Sequence, residues 1–165
     1  MNGFGGVLVK QILRFISILL LLALMASGCS AKNEKEDLFR FKGTYVGDNS
    51  SIGNILNQLQ DAAHLEGFEL ESKVKPYGIV LNYSGSGLKE SNKKTAIYNA
   101  TFLFTLVQNA DWITFNFGDQ AYEITRGALQ KWYDADFSEL KNEDELTAII
   151  QRHLDDAESV NALFR

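Results

Sequence analysis

Cysteine is nearly absent from this chain: Cys29 is the single one in 165 residues, beside one proline and two histidines. Without a second thiol no internal disulfide forms, so the fold must rest on packing alone. His64 and His153 are far apart, and the chain has no His-x-x-x-His, no Gly-x-Ser-x-Gly and no Gly-Lys-Ser/Thr phosphate loop. The usual signatures of a zinc site, an α/β-hydrolase and a phosphate-binding enzyme are therefore missing, and neither a metal nor a cofactor is expected. Basic runs are lacking too. The 16 Lys and Arg face 21 Asp and Glu, and an acidic surface without a basic patch repels phosphate backbones and anionic headgroups, which excludes a nucleic-acid partner.

A hydrophobic run long enough to span a bilayer is also wanting. Residues 15–25 are apolar except for Ser17, and they follow Lys10 and Arg14. That is the length and flank of a signal-peptide core. Small residues then lead directly to the lone thiol in Met25-Ala26-Ser27-Gly28-Cys29. This order suits a lipoprotein signal, in which Cys29 is diacylated and becomes the first residue of the mature chain. Ala26 stands where leucine is commoner. An ordinary signal peptide or an uncleaved anchor, with Cys29 incidental, is the alternative. All of these readings put the rest of the chain outside the cytoplasmic membrane, and the lipoprotein reading places it on the extracytoplasmic face, held by an N-terminal lipid. Removal of 28 residues from 165 leaves 137, with 14 basic against 21 acidic side chains and a net charge of −7. That length holds one ordinary core.

The expected organisation is a signal peptide over 1–28, a polar tether over 29–44, an α+β domain over 45–135 and a helical tail over 136–165. Asp48-Asn49-Ser50-Ser51 is a cluster of helix-capping residues, followed by Ile52, Ile55, Leu56 and Leu59 at helical spacing. Phe68 and Leu70 alternate with acidic residues, Pro76 breaks the run, and Ile79 and Leu81 resume it. This predicts a hairpin with one buried face. After the Ser84-Gly85-Ser86-Gly87 connector, Ala96, Ile97, Ala100, Leu103, Phe104 and Val107 form a second helical stripe, and Ile113, Phe115 and Phe117 lead through Gly118-Asp119 into Tyr122 and Ile124. Helix-hairpin-helix-hairpin predicts a two-layer sandwich, a four-stranded antiparallel sheet with helices on one face. Leu146, Ile149, Ile150 and Leu154, capped by Asn142, form a last stripe, expected to pack on the domain only partly.

Chemistry is sparse. The acidic pairs Asp134/Asp136, Asp144/Glu145 and Asp155/Asp156 lack the spacing of a calcium loop and read as solvated faces. Tyr45, Asp48 and Asn49 have two readings. They either start the helix by satisfying its free N–H groups, or they form the rim of a ligand site at its N-terminus, which suits an anion. Trp112 lies on the polar phase of its strand, and Trp132-Tyr133 follows the sheet. The three suggest an aromatic contact surface, unless the tail helix covers Trp112.

The string Tyr45-Val46-Gly47-Asp48-Asn49-Ser50 with its following helix, Lys75-Pro76-Tyr77-Gly78-Ile79 with Asn82-Tyr83, and residues 99–117 together resemble the family called domain of unknown function 4825, over about residues 45–129. The resemblance implies a lipoprotein of Gram-positive bacteria, and a domain also fused to membrane sensors of the BlaR antirepressor type. It carries no catalytic or ligand residues. The expected function is a membrane-tethered binding or sensory module with an envelope or membrane protein as partner. An envelope hydrolase and a structural assembly partner are the alternatives.

Overall fold

A computed structural model describes residues 37–85 and 89–165. The expected signal peptide, Cys29 and the first part of the tether lie outside them. Helix α1, Asn49–Leu56, begins where the capping cluster places it: the Asp48 carboxylate accepts the Ser51 N–H at 3.0 Å, and Ile52, Ile55 and Leu56 are buried. Strands β1, Leu65–Glu71, and β2, Gly78–Tyr83, pair antiparallel. The loop between them holds a cis Lys75–Pro76 bond. Helix α2, Lys89–Leu106, leads to β3, Trp112–Phe117, and β4, Gln120–Thr125. Phe117 pairs with Gln120 across the Gly118-Asp119 turn, where Gly118 has φ +59°, a conformation glycine adopts without strain.

The fold is α+β, with an open four-stranded sheet in the order β1-β2-β3-β4. The two outer pairs are antiparallel as expected. The central pair β2–β3 is instead parallel, from Gly78 opposite Trp112 to Tyr83 opposite Phe117. The reason is the connection: an 18-residue helix rises about 27 Å, enough to carry the chain back along the sheet before the next strand starts.

From Ala96 onward helix α2 is buried on all sides. Ala96, Ile97, Ala100, Leu103 and Phe104 are buried as the stripe required, but so are Tyr98, Asn99, Thr101, Phe102 and Thr105. Thr101 and Thr105 satisfy their hydroxyls on the carbonyls of Ile97 and Thr101, four residues back. Arg126 closes the far end, donating to the carbonyls of Phe104, Val107 and Ala110 at 2.6–2.8 Å. The Phe104 and Val107 carbonyls are acceptors that the helix C-terminus leaves behind, and Ala110 lies in the loop that follows.

The second side of α2 is covered by the C-terminal part of the chain, which corrects the expected boundary at 135. Helices α3, Arg126–Tyr133, α4, Glu143–Leu154, and α5, Ala157–Ala162, follow the sheet. Phe137, Leu146, Ile150 and Val160, each at most 1% exposed, belong to the same core as Ile79 and Phe115. The amphipathic stripe of α4 needs an apolar partner, and the outer side of α2 supplies one. The tether is also shorter than expected. Leu38 is wholly buried, its N–H donates to Glu143, and Thr44 forms a parallel bridge to Val107. The Lys42 ammonium joins this strap to the carbonyls of Ser138 and Leu140. The described residues are accordingly one compact unit.

Candidate functional site

The start of α1 is built for stability. The position an anion would take at the helix N-terminus is filled by the carboxylate of Asp48 itself, whose pKa is held below the usual carboxylate value by the Ser51 N–H. The preceding turn is pinned by Asn109, whose side-chain carbonyl accepts the Val46 N–H at 2.7 Å. Tyr45 is 56% exposed beside it. The capping chemistry accounts for Asp48, and Asn49 follows it as the first residue of the helix. The acidic pairs likewise contain caps: Asp136 accepts the Ser138 N–H, and Asp156 those of Glu158 and Ser159.

The three aromatic candidates do not form one surface. Tyr133 is 6% exposed and its hydroxyl meets Thr101 Oγ1 at 3.0 Å in the core. Trp132 stacks edge-on against Tyr133 and donates from its indole to the carbonyl of Ser159. The C-terminal helices thus claim both. Trp112 is different, and the tail helix does not cover it. Its indole lies flat on β2 at Gly78, where an added Cβ would come within 2.1 Å of the ring, and its Nε1 donates to the Pro76 carbonyl at 3.2 Å.

This indole belongs to the side of the sheet that, among the described residues, carries no helix. Strand alternation sends Ile79, Leu81, Ile113, Phe115 and Ile124 inward under α2 and their neighbours outward. Register then sets the outward side chains in rows: Glu71, Gly78, Trp112 and Thr125; Glu69, Val80, Thr114 and Glu123; Asn82 and Asn116. The two asparagines are joined by a 2.8 Å side-chain bond. Glu69, Glu71 and Glu123 are exposed, and Val80, Thr114 and Trp112 are half-buried. The result is a platform four strands wide, with an aromatic plane, three carboxylates and no basic residue in its rows. Lys75, in the adjoining loop, lies over the Tyr77 ring.

A second feature was not signalled by any motif. Asp61 and His64 stand three residues apart, and the Asp61 carboxylate meets His64 Nδ1 at 2.6 Å at the mouth of a cavity of about 360 Å³ lined also by Ser84, Ser91 and Phe117. Asp61 adopts a left-handed conformation, φ +62°, which costs a non-glycine residue strain. The buried Asn99 holds the turn there. Its amide brackets both backbone groups of Gln60 and donates to the Tyr83 hydroxyl. Burial pushes that phenol up to about 12. The Ser84 hydroxyl donates to the backbone carbonyl of His64 and not to its ring. His153 lies elsewhere, bonded to the carbonyl of Ile149 against the rings of Trp132 and Tyr133. Among the described residues no group of three or more potential metal ligands gathers, and no helix is long and apolar enough to cross a membrane.

The sequence profile described as Domain of unknown function (DUF4825) matches residues 38–127. That span runs from the N-terminal strap through the last strand. No curated protein and no solved structure matches the chain.

Proposed function

Because the chain belongs to the domain of unknown function 4825 family, we propose that it is an extracytoplasmic lipoprotein, anchored through Cys29, whose domain binds a partner at the helix-free face of its sheet. The observation that carries this reading is the Trp112 plane seated on Gly78. A large aromatic ring held flat on an open face, with its N–H already bonded, is preorganised for contact and loses little freedom on binding. The polar groups an enzyme would gather are instead spent separately: Asp48 caps α1, His64 pairs with Asp61, and Glu123 stands on the open face. Eight residues, 30–37, separate Cys29 from the buried Leu38. Fully extended they reach about 28 Å, so the tether keeps the domain close to the lipid surface.

The test is photo-crosslinking in intact cells. A photoreactive residue at Thr114 should give a discrete adduct, and one at Lys131 on α3 should not. Equal labelling from both positions, or none from Thr114, contradicts the reading. The Asp61–His64 pair supports a second reading, an envelope hydrolase using His64 as a general base. It requires that His64→Gln abolish a cellular phenotype that Trp112→Ala leaves intact.

A further inference from the structure

We propose that the occupant of the helix-free face is a cationic polypeptide segment, whose Lys or Arg side chains lie over the Trp112 indole and between the carboxylates of Glu71, Glu69 and Glu123. This rests on the reading of that face as the binding surface, and adds the chemistry of what it binds. The platform is half-buried indole and exposed carboxylate, and the two select the same ligand by different physics. An indole face attracts an ammonium or guanidinium group through its quadrupole, and guanidinium also stacks on it. Carboxylates attract the same groups and repel phosphate and anionic lipid.

Geometry ties the two together. Glu71, Gly78 and Trp112 occupy one row across three adjacent strands, and Gly78 has no side chain to separate the carboxylate from the ring. Glu69 and Glu123 terminate the next row, three strand spacings or about 14 Å apart. An extended segment crossing the strands would meet Glu69 at one edge and Glu123 at the other, with Val80 and Thr114 between. The central surface is uncharged and half-buried, which suits the aliphatic stems of lysine and arginine.

The experiment titrates the full chain in non-ionic detergent micelles with an oligolysine peptide at low salt and at ~0.5 M salt, following backbone amide shifts. Shifts centred on Gly78, Val80, Thr114 and Glu123, and suppressed by salt, are expected. The combined variant Glu69→Gln, Glu71→Gln, Glu123→Gln should lose about tenfold or more in affinity, and Trp112→Ala a smaller but measurable factor. A charge-matched variant of the helical side, Glu139→Gln, Asp144→Asn, Asp155→Asn, should bind as the wild type does. Equal loss in both combined variants, or shifts spread over the helices, would show diffuse attraction to an acidic protein and overturn the proposal. Should oligolysine give no shifts while Thr114 still crosslinks in cells, the face is a binding surface but its partner is not cationic. If Thr114 also fails to crosslink, both readings fall. Because the shifts are read on unsubstituted protein, a variant that fails to fold does not shield the proposal.

Discussion

The Trp112 ring occupies the space that a side chain on Gly78 would need: a Cβ there would lie 2.1 Å from Cε2 and 2.2 Å from Cζ2. These residues are partners in the parallel register of β2 and β3. The pairing makes an outward-facing, half-buried tryptophan a seated part of the sheet. Gly78→Ala should therefore lift the indole, break its bond to Pro76 and red-shift its emission, at a cost of about 1–2 kcal/mol in stability. Emission spectra and melting curves of Gly78→Ala in a Trp132→Phe background check this. An unchanged spectrum would mean that the ring does not lie on the strand.

The C-terminal helices should prove inseparable from the domain. Ile150 and Leu146 are completely buried in the core that the sheet and α2 share. Ile150→Ala should cost ~2–5 kcal/mol, as for other large-to-small core changes. A chain ended after Asp134 would expose the outer side of α2 and melt broadly or aggregate. A sharp melting transition in the truncated chain would contradict this.

Those helices mark where the sequence stopped being legible. Local devices were readable because their chemistry is local: the Asp48 cap, the Gly118-Asp119 turn, and the Asn142 cap, which accepts the Glu145 N–H at 2.9 Å. Strand alternation named the buried set Ile79, Leu81, Ile113, Phe115 and Ile124. The parallel central pair was not readable, since strand direction is set by the path of α2 over the sheet and not by any residue in β2 or β3. Nor was the burial of α4, because an amphipathic stripe states that a partner exists without saying which. The clearest clue missed was α2 itself. Tyr98 and Phe102 lie off its expected stripe, their rings 5.0 Å apart, and apolar residues around a whole helix signal cover on both sides. Of the candidate sites, Trp112 was legible as an outward residue, but its seat on Gly78 needed the register. The Asp61–His64 pair needed the left-handed turn at Asp61.

Asp48 should act through stability. Its carboxylate, fully exposed and held below the usual pKa by the Ser51 N–H, contributes above the unfolded carboxylate pKa, and the contribution is lost as pH falls through the folded value. Asp48→Ala should lower the melting temperature at neutral pH, with the difference from wild type closing in acid. Asp48→Asn, which keeps an acceptor for the cap, should stay near wild type. A large loss in Asp48→Asn would point to a role for the charge beyond capping.

At high pH the buried phenols should govern unfolding. Tyr83 is pushed up to about 12 by burial, and Tyr133 shifts the same way for the same reason. A phenol raised above its unfolded value near 10 contributes stability that is complete below that pH and lost as pH climbs through the folded value. The melting temperature should fall between pH 10 and about 12. Tyr83→Phe, which keeps the ring stacked on Phe117 but removes the titrating group, should flatten that fall. An equally steep fall in Tyr83→Phe would assign the alkaline transition to other groups.

The proposed anchoring of the domain at the outer surface of the membrane through Cys29 is tested most directly by intact-mass and peptide mass spectrometry of the protein extracted from membranes. The result expected is a mature chain beginning at Cys29 with a diacylglyceryl group on its thiol. An unmodified Cys29, or an N-terminus produced by cleavage at another position, would contradict it.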